Sequence, residues 1–226
     1  MKTISNFFAH ELTKRVITGI IFGIIFFGTY FYNSFLFSIF LLGILVIALF
    51  FEWPKLMPIN TPLFWLITPW YPILSVASLI YLNHSYYAID KIIPIYPIII
   101  AWASDTGSFI LGKTYGKHKI CPTISPGKSW EGLLGGITSV TLLNFFLKSH
   151  SIVLQNNFFF KHPISIIAVS VFLAVFGFLG DIFISFLKRR QNVKDTGNLL
   201  PGHGGILDRF DAVFFLSVIV LILFFR

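Results

Sequence analysis

The sequence predicts an all-α fold, a polytopic bundle of about seven transmembrane helices. Hydrophobic residues make up 56% of the 226-residue chain and charged residues only 12%, so a water-soluble domain of this composition would lack the polar surface to cover itself. Apolar runs recur at lengths close to the roughly 20 residues that a helix needs to cross a hydrocarbon layer. The strong charges concentrate between these runs, which indicates a polar site at the ends of membrane helices.

Seven apolar segments are candidate spans. They are 16–32, 35–51, 63–83, 92–112, 132–147, 164–187 and 211–225. The segments 92–112 and 132–147 contain Gly or Pro, which predicts broken or closely packed helices there. The spans leave no room for a separate soluble domain, so we expect residues 1–226 to form a single integral-membrane domain.

The distribution of basic residues predicts an orientation. With a cytoplasmic N-terminus, thirteen of the 17 Lys and Arg residues lie inside. The four outside are Lys91, Lys148, Lys161 and Arg226. Because positive charge favours the cytoplasmic side, we expect the loops 113–131 and 188–210 to form an active site at the cytoplasmic face of a bacterial inner or plasma membrane.

The cysteine and charge content exclude other kinds of site. Cys121 is the single cysteine, so the chain has no intramolecular disulfide and no structural zinc site built on several cysteines. The net charge of +8 is spread along one membrane face, without a recognisable nucleic-acid-binding module. We therefore expect anionic lipid and phosphate as partners, and no nucleic acid.

A carboxylate lies deep in the sixth apolar segment. An ionised Asp181 costs about 3 kcal/mol or more at such a position unless it has a partner. On a helix, Asp181, Ser185 and Lys188 are spaced i, i+4, i+7 and share one face, which predicts a polar stripe pointing into the bundle. The structural alternative is a buried Asp–Lys pair.

Two more carboxylates, Asp208 and Asp211, begin the last predicted helix. Their structural alternative is a favourable interaction with the helix dipole. Three carboxylates that converge from two helix ends would repel one another without a cation, and Mg²⁺ takes carboxylate oxygens together with substrate phosphates. Asp181, Asp208 and Asp211 are therefore the predicted metal ligands.

The segment between these carboxylates predicts a phosphate-binding loop. In P-G-H-G-G, glycines permit positive φ and let backbone N–H groups approach an anion. His203 could contact phosphate, transfer a proton or cap the turn, and phosphate contact is favoured. The predicted phosphate-binding residues here are Ser185, Arg189, Lys194, His203, Gly204, Gly205 and Arg209.

The other basic loop contributes one candidate, Lys128. The segment S-P-G-K-S lacks the spacing of a P-loop, and membrane orientation alone explains Lys117 and Lys119. Lys128 lies between Gly127 and Ser129, so we expect it to contact a nucleotide or lipid phosphate.

Residues 185–211 resemble the signature of the phosphatidate cytidylyltransferases, also called CDP-diacylglycerol synthases. The matching residues are Ser185-x-Leu187-Lys188-Arg189, Lys194-Asp195-x-Gly197 and Leu200-Pro201-x-His203-Gly204-Gly205-Ile206-x-Asp208-Arg209-Phe210-Asp211. Weaker similarity extends to Leu12-x-Lys14-Arg15-Val16-Ile17-Thr18, Glu52-Trp53, Asp105-Thr106-Gly107 and Ser125-Pro126-Gly127-Lys128-Ser129-Trp130-Glu131-Gly132.

The resemblance implies transfer of cytidylate from CTP to phosphatidic acid, giving CDP-diacylglycerol and pyrophosphate in phospholipid biosynthesis. It implies that Asp181, Asp208 and Asp211 hold the metal, with Lys188 on the phosphates, and these four are the expected catalytic residues. The lipid phosphate is already a nucleophile at neutral pH, so metal-assisted attack on the α-phosphorus needs only alignment and charge neutralisation. The expected cofactor is Mg²⁺, with a second cation and a homodimer left open.

Two alternatives differ in chemistry. A CTP-dependent polyprenol or phytol kinase would transfer the γ-phosphoryl group and release CDP. An ion or proton transporter would use Asp105 and Asp181 as relay groups near the bilayer midplane. The basic loops at one face and the full signature favour the cytidylyltransferase.

Overall fold

The computed structural model describes the backbone of residues 2–200 and 204–225, and their side chains except at 2–12, 14 and 15. The α-helices are α1 (Lys2–Tyr32), α2 (Ser34–Ile47), α3 (Trp53–Leu56), α4 (Pro62–Ile67), α5 (Leu74–Tyr86), α6 (Tyr96–Tyr115), α7 (Trp130–His150), α8 (Ile152–Asn156), α9 (Pro163–Arg190) and α10 (Leu207–Phe224). Short π-helical turns at Ala48–Glu52 and Pro69–Ile73 join α2 to α3 and α4 to α5, and 3₁₀ turns lie at Ile93–Ile95 and Phe158–Phe160.

The helices confirm a membrane-spanning bundle. Within the described residues, five helical stretches are long and apolar enough to cross a membrane: Ser34–Leu56, Pro62–Tyr86, Ile93–Tyr115, Trp130–His150 and Pro163–Arg190. A shorter apolar stretch, Val16–Tyr32, lies in α1. The last predicted span, 211–225, corresponds to α10, whose first turns are charged because they carry Asp208, Arg209 and Asp211.

Helices α6 and α7 pack with their backbones in close contact. A Cβ added at Gly135 would lie 2.9 Å from Cβ of Leu111 and would collide with the carbonyl oxygen of Gly107. The glycines therefore allow close packing, as predicted. Both helices run without a break through their glycines, because those positions contact another helix and do not need an unusual backbone angle.

A second close approach joins α9 to α10. A Cβ at Gly180 would lie 2.6 Å from the Asp211 carbonyl oxygen. Since Asp181 follows Gly180 directly, this contact brings its carboxylate to the first turns of α10. The two helix ends that the sequence predicted to converge are therefore packed together.

The loop 113–131 contains a small sheet that the sequence analysis did not predict. Strand β1 (Lys119–Cys121) pairs antiparallel with β2 (Ser125–Ser129), with Lys119 opposite Ser129 and Cys121 opposite Ser125. The strands are too short for a period of two to be visible in the sequence. The Ser129 hydroxyl then accepts a hydrogen bond from Gly132 N–H and caps α7.

The two basic loops lie at the same end of the bundle. The side chain of Arg189, at the end of α9, donates to the carbonyl of Ile124 in the hairpin, with a distance of 3.2 Å. At the opposite end, the Ser151 hydroxyl donates to Asp90 over 2.5 Å. Two long helices, α7 and α9, therefore separate the two basic loops, as the predicted spans 132–147 and 164–187 require.

We expect Gly135→Ala to lower the midpoint of thermal unfolding in detergent more than Gly23→Ala. Both changes favour helix by removing a glycine, but a Cβ at Gly23 meets nothing within 4 Å. At Gly135 overpacking costs about 1–3 kcal/mol. Equal midpoints for the two variants would contradict the close packing of α6 and α7.

Candidate active site

A polar cavity of about 360 Å³ opens where α6, α9, α10 and the hairpin meet. Its charged lining residues within the described chain are Asp105, Lys128, Asp181, Asp208 and Asp211. Four serines add hydroxyl groups to the wall: Ser108, Ser125, Ser129 and Ser185. The cavity therefore brings together parts of the chain that are about 100 residues apart.

Helix α9 presents the predicted polar stripe. Asp181 and Ser185 line the cavity, and Lys188 Nζ lies 2.7 Å from Asp208 Oδ1. Asp181 does form the buried Asp–Lys pair of the structural alternative, but its partner is a lysine of the hairpin and not Lys188 of the same helix face.

That lysine is Lys128, whose ammonium group forms an ion pair with Asp181 Oδ2. The ammonium group also lies 5.1 Å from the ring centre of Phe178, which is on α9 like Asp181. This distance is compatible with a cation–π contact. Burial alone would lower the pKa of Lys128, but the Asp181 carboxylate outweighs it and the pKa is raised above its ordinary value. Lys128 is therefore protonated at neutral pH.

Asp208 is held from several sides. Besides Lys188, its Oδ2 accepts hydrogen bonds from the backbone N–H groups of Thr196 (2.8 Å) and Gly205 (3.0 Å). The Thr196 hydroxyl lies 3.0 Å from the same oxygen. These contacts fix the carboxylate at the start of α10 and hold Thr196 and Gly205 next to it.

A buried glutamate, Glu52, supports this arrangement from behind. Its side chain is fully buried and accepts 2.8 Å hydrogen bonds from the backbone N–H groups of Ile206 and Leu207. These are unpaired donors at the beginning of α10, where a carboxylate is favourable. The Thr196 hydroxyl lies 2.8 Å from Glu52 Oε2, so this hydroxyl bridges Glu52 and Asp208.

The glycines of the signature make room for Glu52. A Cβ at Gly205 would lie 2.6 Å from Glu52 Oε2 and would collide with the Thr196 hydroxyl, and one at Gly197 would lie 3.0 Å from Glu52 Oε1. The Gly205 amide, which the sequence predicted to bind phosphate, instead donates to Asp208. Gly204 does have the positive φ that was expected, +87°.

Asp211 lines the same cavity wall as Asp181. Its carbonyl oxygen accepts a 3.3 Å hydrogen bond from the hydroxyl of Tyr71, which packs behind α10. Two carboxylates therefore share this wall of the cavity, with Lys128 as their nearby cation.

Several predicted phosphate-binding residues lie elsewhere. Arg189 and Lys194 are exposed and do not line the cavity, because both lie where α9 ends and the chain turns away. Arg209 lies at a neighbouring apolar cavity. His203 lies outside the described residues.

Asp105, which lines the cavity, and Glu52, which supports it, are not among the predicted site residues. Both carried the signal that identified Asp181, a carboxylate within or directly after an apolar run. In the sequence, Glu52 belongs only to a short motif. Its hydrogen-bond partners are at least 144 residues away, so no local pattern indicates them. Its role therefore depends entirely on tertiary structure.

The chemistry of the cavity fits a hard cation, although the ligands are not assembled. In the described part of the chain, no three His, Cys, Asp or Glu side chains form a ready metal site, since Asp181 and Asp208 each pair with a lysine. Four carboxylates and one ammonium line the cavity. This excess of carboxylate oxygens suits Mg²⁺ and would repel a polyphosphate that carried no cation.

A family model described as "Cytidylyltransferase family" matches residues 60–226. This region contains every residue that lines the polar cavity.

Curated relatives are phosphatidate cytidylyltransferases. The protein from Rickettsia conorii is 39% identical over 127 residues, which are 55% of this chain and 54% of that protein. The protein from Bacillus subtilis is 44% identical over 120 residues, 53% of this chain and 42% of that protein. The protein from Haemophilus influenzae is 40% identical over 120 residues, 53% of this chain and 41% of that protein. The chain spans about half the length of the curated relatives it matches.

We expect Glu52→Gln to lower the midpoint of thermal unfolding, because the NH2 of the new amide would face the N–H group of either Ile206 or Leu207 and leave it without an acceptor. Each buried donor left without an acceptor costs about 1–3 kcal/mol. Asp195→Asn is the matched control, a carboxylate-to-amide change at an exposed position of the adjoining segment. Equal midpoints for both variants and the parent chain would contradict the role assigned to Glu52.

Proposed function

The chain belongs to the cytidylyltransferase family, and we propose that it transfers the cytidylyl group of CTP to phosphatidic acid, giving CDP-diacylglycerol and pyrophosphate. The observation that carries the proposal is the polar cavity, in which carboxylates and lysines meet at the end of a membrane bundle. Relatives named phosphatidate cytidylyltransferase support the choice of substrates.

The proposed reaction needs no protein nucleophile. An oxygen of the lipid phosphate attacks the α-phosphorus of CTP and forms a new P–O bond. The bond from the α-phosphorus to the oxygen that bridges to the β-phosphorus breaks, and pyrophosphate leaves with the electron pair. The protein aligns the two phosphates and neutralises the charge that develops on pyrophosphate.

Lys128 and Lys188 are the proposed phosphate-binding cations. Asp181 and Asp208 hold them at the cavity through ion pairs, so each ammonium is oriented before a nucleotide arrives. Ser185, one turn after Asp181 on the cavity wall, is the proposed polar neighbour of the bound phosphates.

Asp181, Asp208 and Asp211 are the proposed ligands of Mg²⁺. The excess of carboxylates in the wall supports this choice, because CTP brings further negative charge into the same space. A bound divalent cation would neutralise the nucleotide and pyrophosphate oxygens. The protein's own part is to hold the three carboxylates through α9 and the first turns of α10.

The proposed orientation places the polar cavity at the cytoplasmic face, where CTP is available. Both basic loops lie at that end of the bundle, and thirteen of 17 Lys and Arg residues would then be inside. This charge bias supports the orientation by the positive-inside rule.

The proposed activity is tested with purified full chain, α-labelled CTP, phosphatidic acid in detergent and Mg²⁺. We expect the label in CDP-diacylglycerol and an equal amount of unlabelled pyrophosphate. We expect Asp181→Asn and Asp208→Asn to insert normally but to lose about 100-fold or more in rate, as when a preorganised electrostatic group is removed. Labelled CDP without lipid-bound label would indicate a lipid kinase and would overturn the proposal.

The control compares two lysines of the basic loops. Lys188→Ala should slow turnover far more than Lys117→Ala, because Lys188 pairs with Asp208 whereas Lys117 is exposed away from the cavity. Protein amounts are matched by immunoblot, and the folded state of each variant is checked by its midpoint of thermal unfolding. Equal losses would remove Lys188 from the proposed site.

The proposed orientation is tested by cysteine labelling in intact cells, in a Cys121→Ser background. An impermeant thiol reagent applied outside should label Gln155→Cys and should label Asn198→Cys only after permeabilisation. Both positions are exposed and lie at opposite ends of the bundle. The reverse pattern would show that the cavity faces away from the nucleotide.

A further inference from the structure

A second, largely apolar cavity of about 250 Å³ lies between α1, α6 and α10. Its apolar walls include Phe22, Phe26, Ile98, Trp102, Phe210 and Val213. Arg209 is the charged residue among its described lining residues, and its side chain is exposed. The cavity is therefore apolar with a guanidinium group at one end.

The cavity runs from the polar end of the bundle toward its apolar middle. On α1 its lining extends from Thr18 to Phe26, roughly 12 Å at the rise of an α-helix. On α10 it extends from Arg209 in the first turn to Val213 one turn deeper. A molecule that fills it would place an anionic group at Arg209 and a hydrocarbon chain beside the helices.

The apolar cavity adjoins the polar one along two helices. On α10, Arg209 directly follows Asp208 of the polar cavity, and on α6, Trp102 lies one turn before Asp105. A phosphate at Arg209 is therefore close to the carboxylates and lysines of the proposed site.

We propose that this cavity holds one acyl chain of the phosphatidic acid substrate and that Arg209 binds the lipid phosphate. The inference rests on the proposed function and deepens it by separating a lipid subsite from the nucleotide subsite. A guanidinium group suits this task because it binds phosphate through two parallel hydrogen bonds.

Another apolar cavity fits the lipid less well. It has a volume of about 430 Å³ and is lined by residues of α4, α5, α9 and α10 and of the turn before α5, including Tyr71, Phe183 and Val218. Its described lining contains no charged residue. Helices α9 and α10, which pack closely at Gly180 and the Asp211 carbonyl, lie between this cavity and the polar one.

The acyl chain in the cavity serves to position the phosphate. Lipid tails are as apolar as the cavity wall, so burial of the chain provides no hydrophobic gain within a bilayer. Packing of the chain along α1 and α10 fixes the headgroup, and a displacement of about 1 Å at the reacting phosphate can cost a large factor in rate. A filled cavity should therefore affect long-chain substrates selectively.

The test fills each apolar cavity with the same residue on the same helix. Val213→Trp occupies the proposed lipid cavity, and Val218→Trp occupies the other one. With dioleoyl phosphatidate, Val213→Trp should lower kcat/KM by about tenfold or more, because the blocked chain displaces the phosphate. With dibutyryl phosphatidate, whose chains have only four carbons, Val213→Trp should lower kcat/KM by a much smaller factor, and Val218→Trp should lower kcat/KM for neither substrate.

Two outcomes would overturn the proposal. Equal loss with both lipids would show that Val213→Trp does not act through the acyl chain. A chain-dependent loss in Val218→Trp and not in Val213→Trp would assign the chain to the other cavity.

A binding experiment tests this proposal independently of the proposed reaction. It uses the unmodified chain, so its result does not depend on whether a variant folds. The unmodified full chain in liposomes is irradiated with phosphatidate that carries a diazirine in one acyl chain, without CTP. Labelled peptides from α1 and α6 support the lipid cavity, whereas labelling confined to α5 and α9 overturns it. If the unmodified chain converts neither phosphatidate, the proposed function fails, and the labelling still decides where lipid binds.

Discussion

A carboxylate inside an apolar bundle must be paired with a cation or hydrogen-bonded, and this constraint organises the polar end of the molecule. Asp181 meets Lys128, Asp208 meets Lys188, and Glu52 meets the backbone N–H groups at the start of α10. Because each partner comes from a different part of the chain, satisfying the carboxylates also ties together the turn at Ala48–Glu52, the hairpin, α9 and α10.

Close helix packing makes these pairings possible. Gly180 lets α9 approach α10, which brings Asp181 close to Asp211. Gly197 and Gly205 leave room for the buried carboxylate of Glu52. Side chains at these positions would separate the elements that carry the charges. The glycines thus act mainly by the volume that they leave free, whereas Gly204 acts through its positive φ.

The polar cavity shows how charged groups can be maintained beside lipid. Two of the four aspartates at the cavity, Asp181 and Asp208, are neutralised by lysines in the absence of substrate, so these two charges are not isolated. The same pairing keeps the cations at the position where phosphate charge would be received. In the proposed reaction, substrate binding would exchange the ionic partners of these lysines, with little need to order new side chains.

The sequence by itself determined the membrane-spanning helical fold and several of the charged residues that line the polar cavity, because long apolar runs and charges within them are local signals. Asp181, Ser185 and Asp208 lie at the cavity as predicted. Only the tertiary structure decided how these charges pair, since Lys128 and Glu52 reach partners 53 and 144 or more residues away. Helical spacing orders neighbours along one helix face, but contacts between helices depend on packing and small-residue positions that a single sequence does not specify.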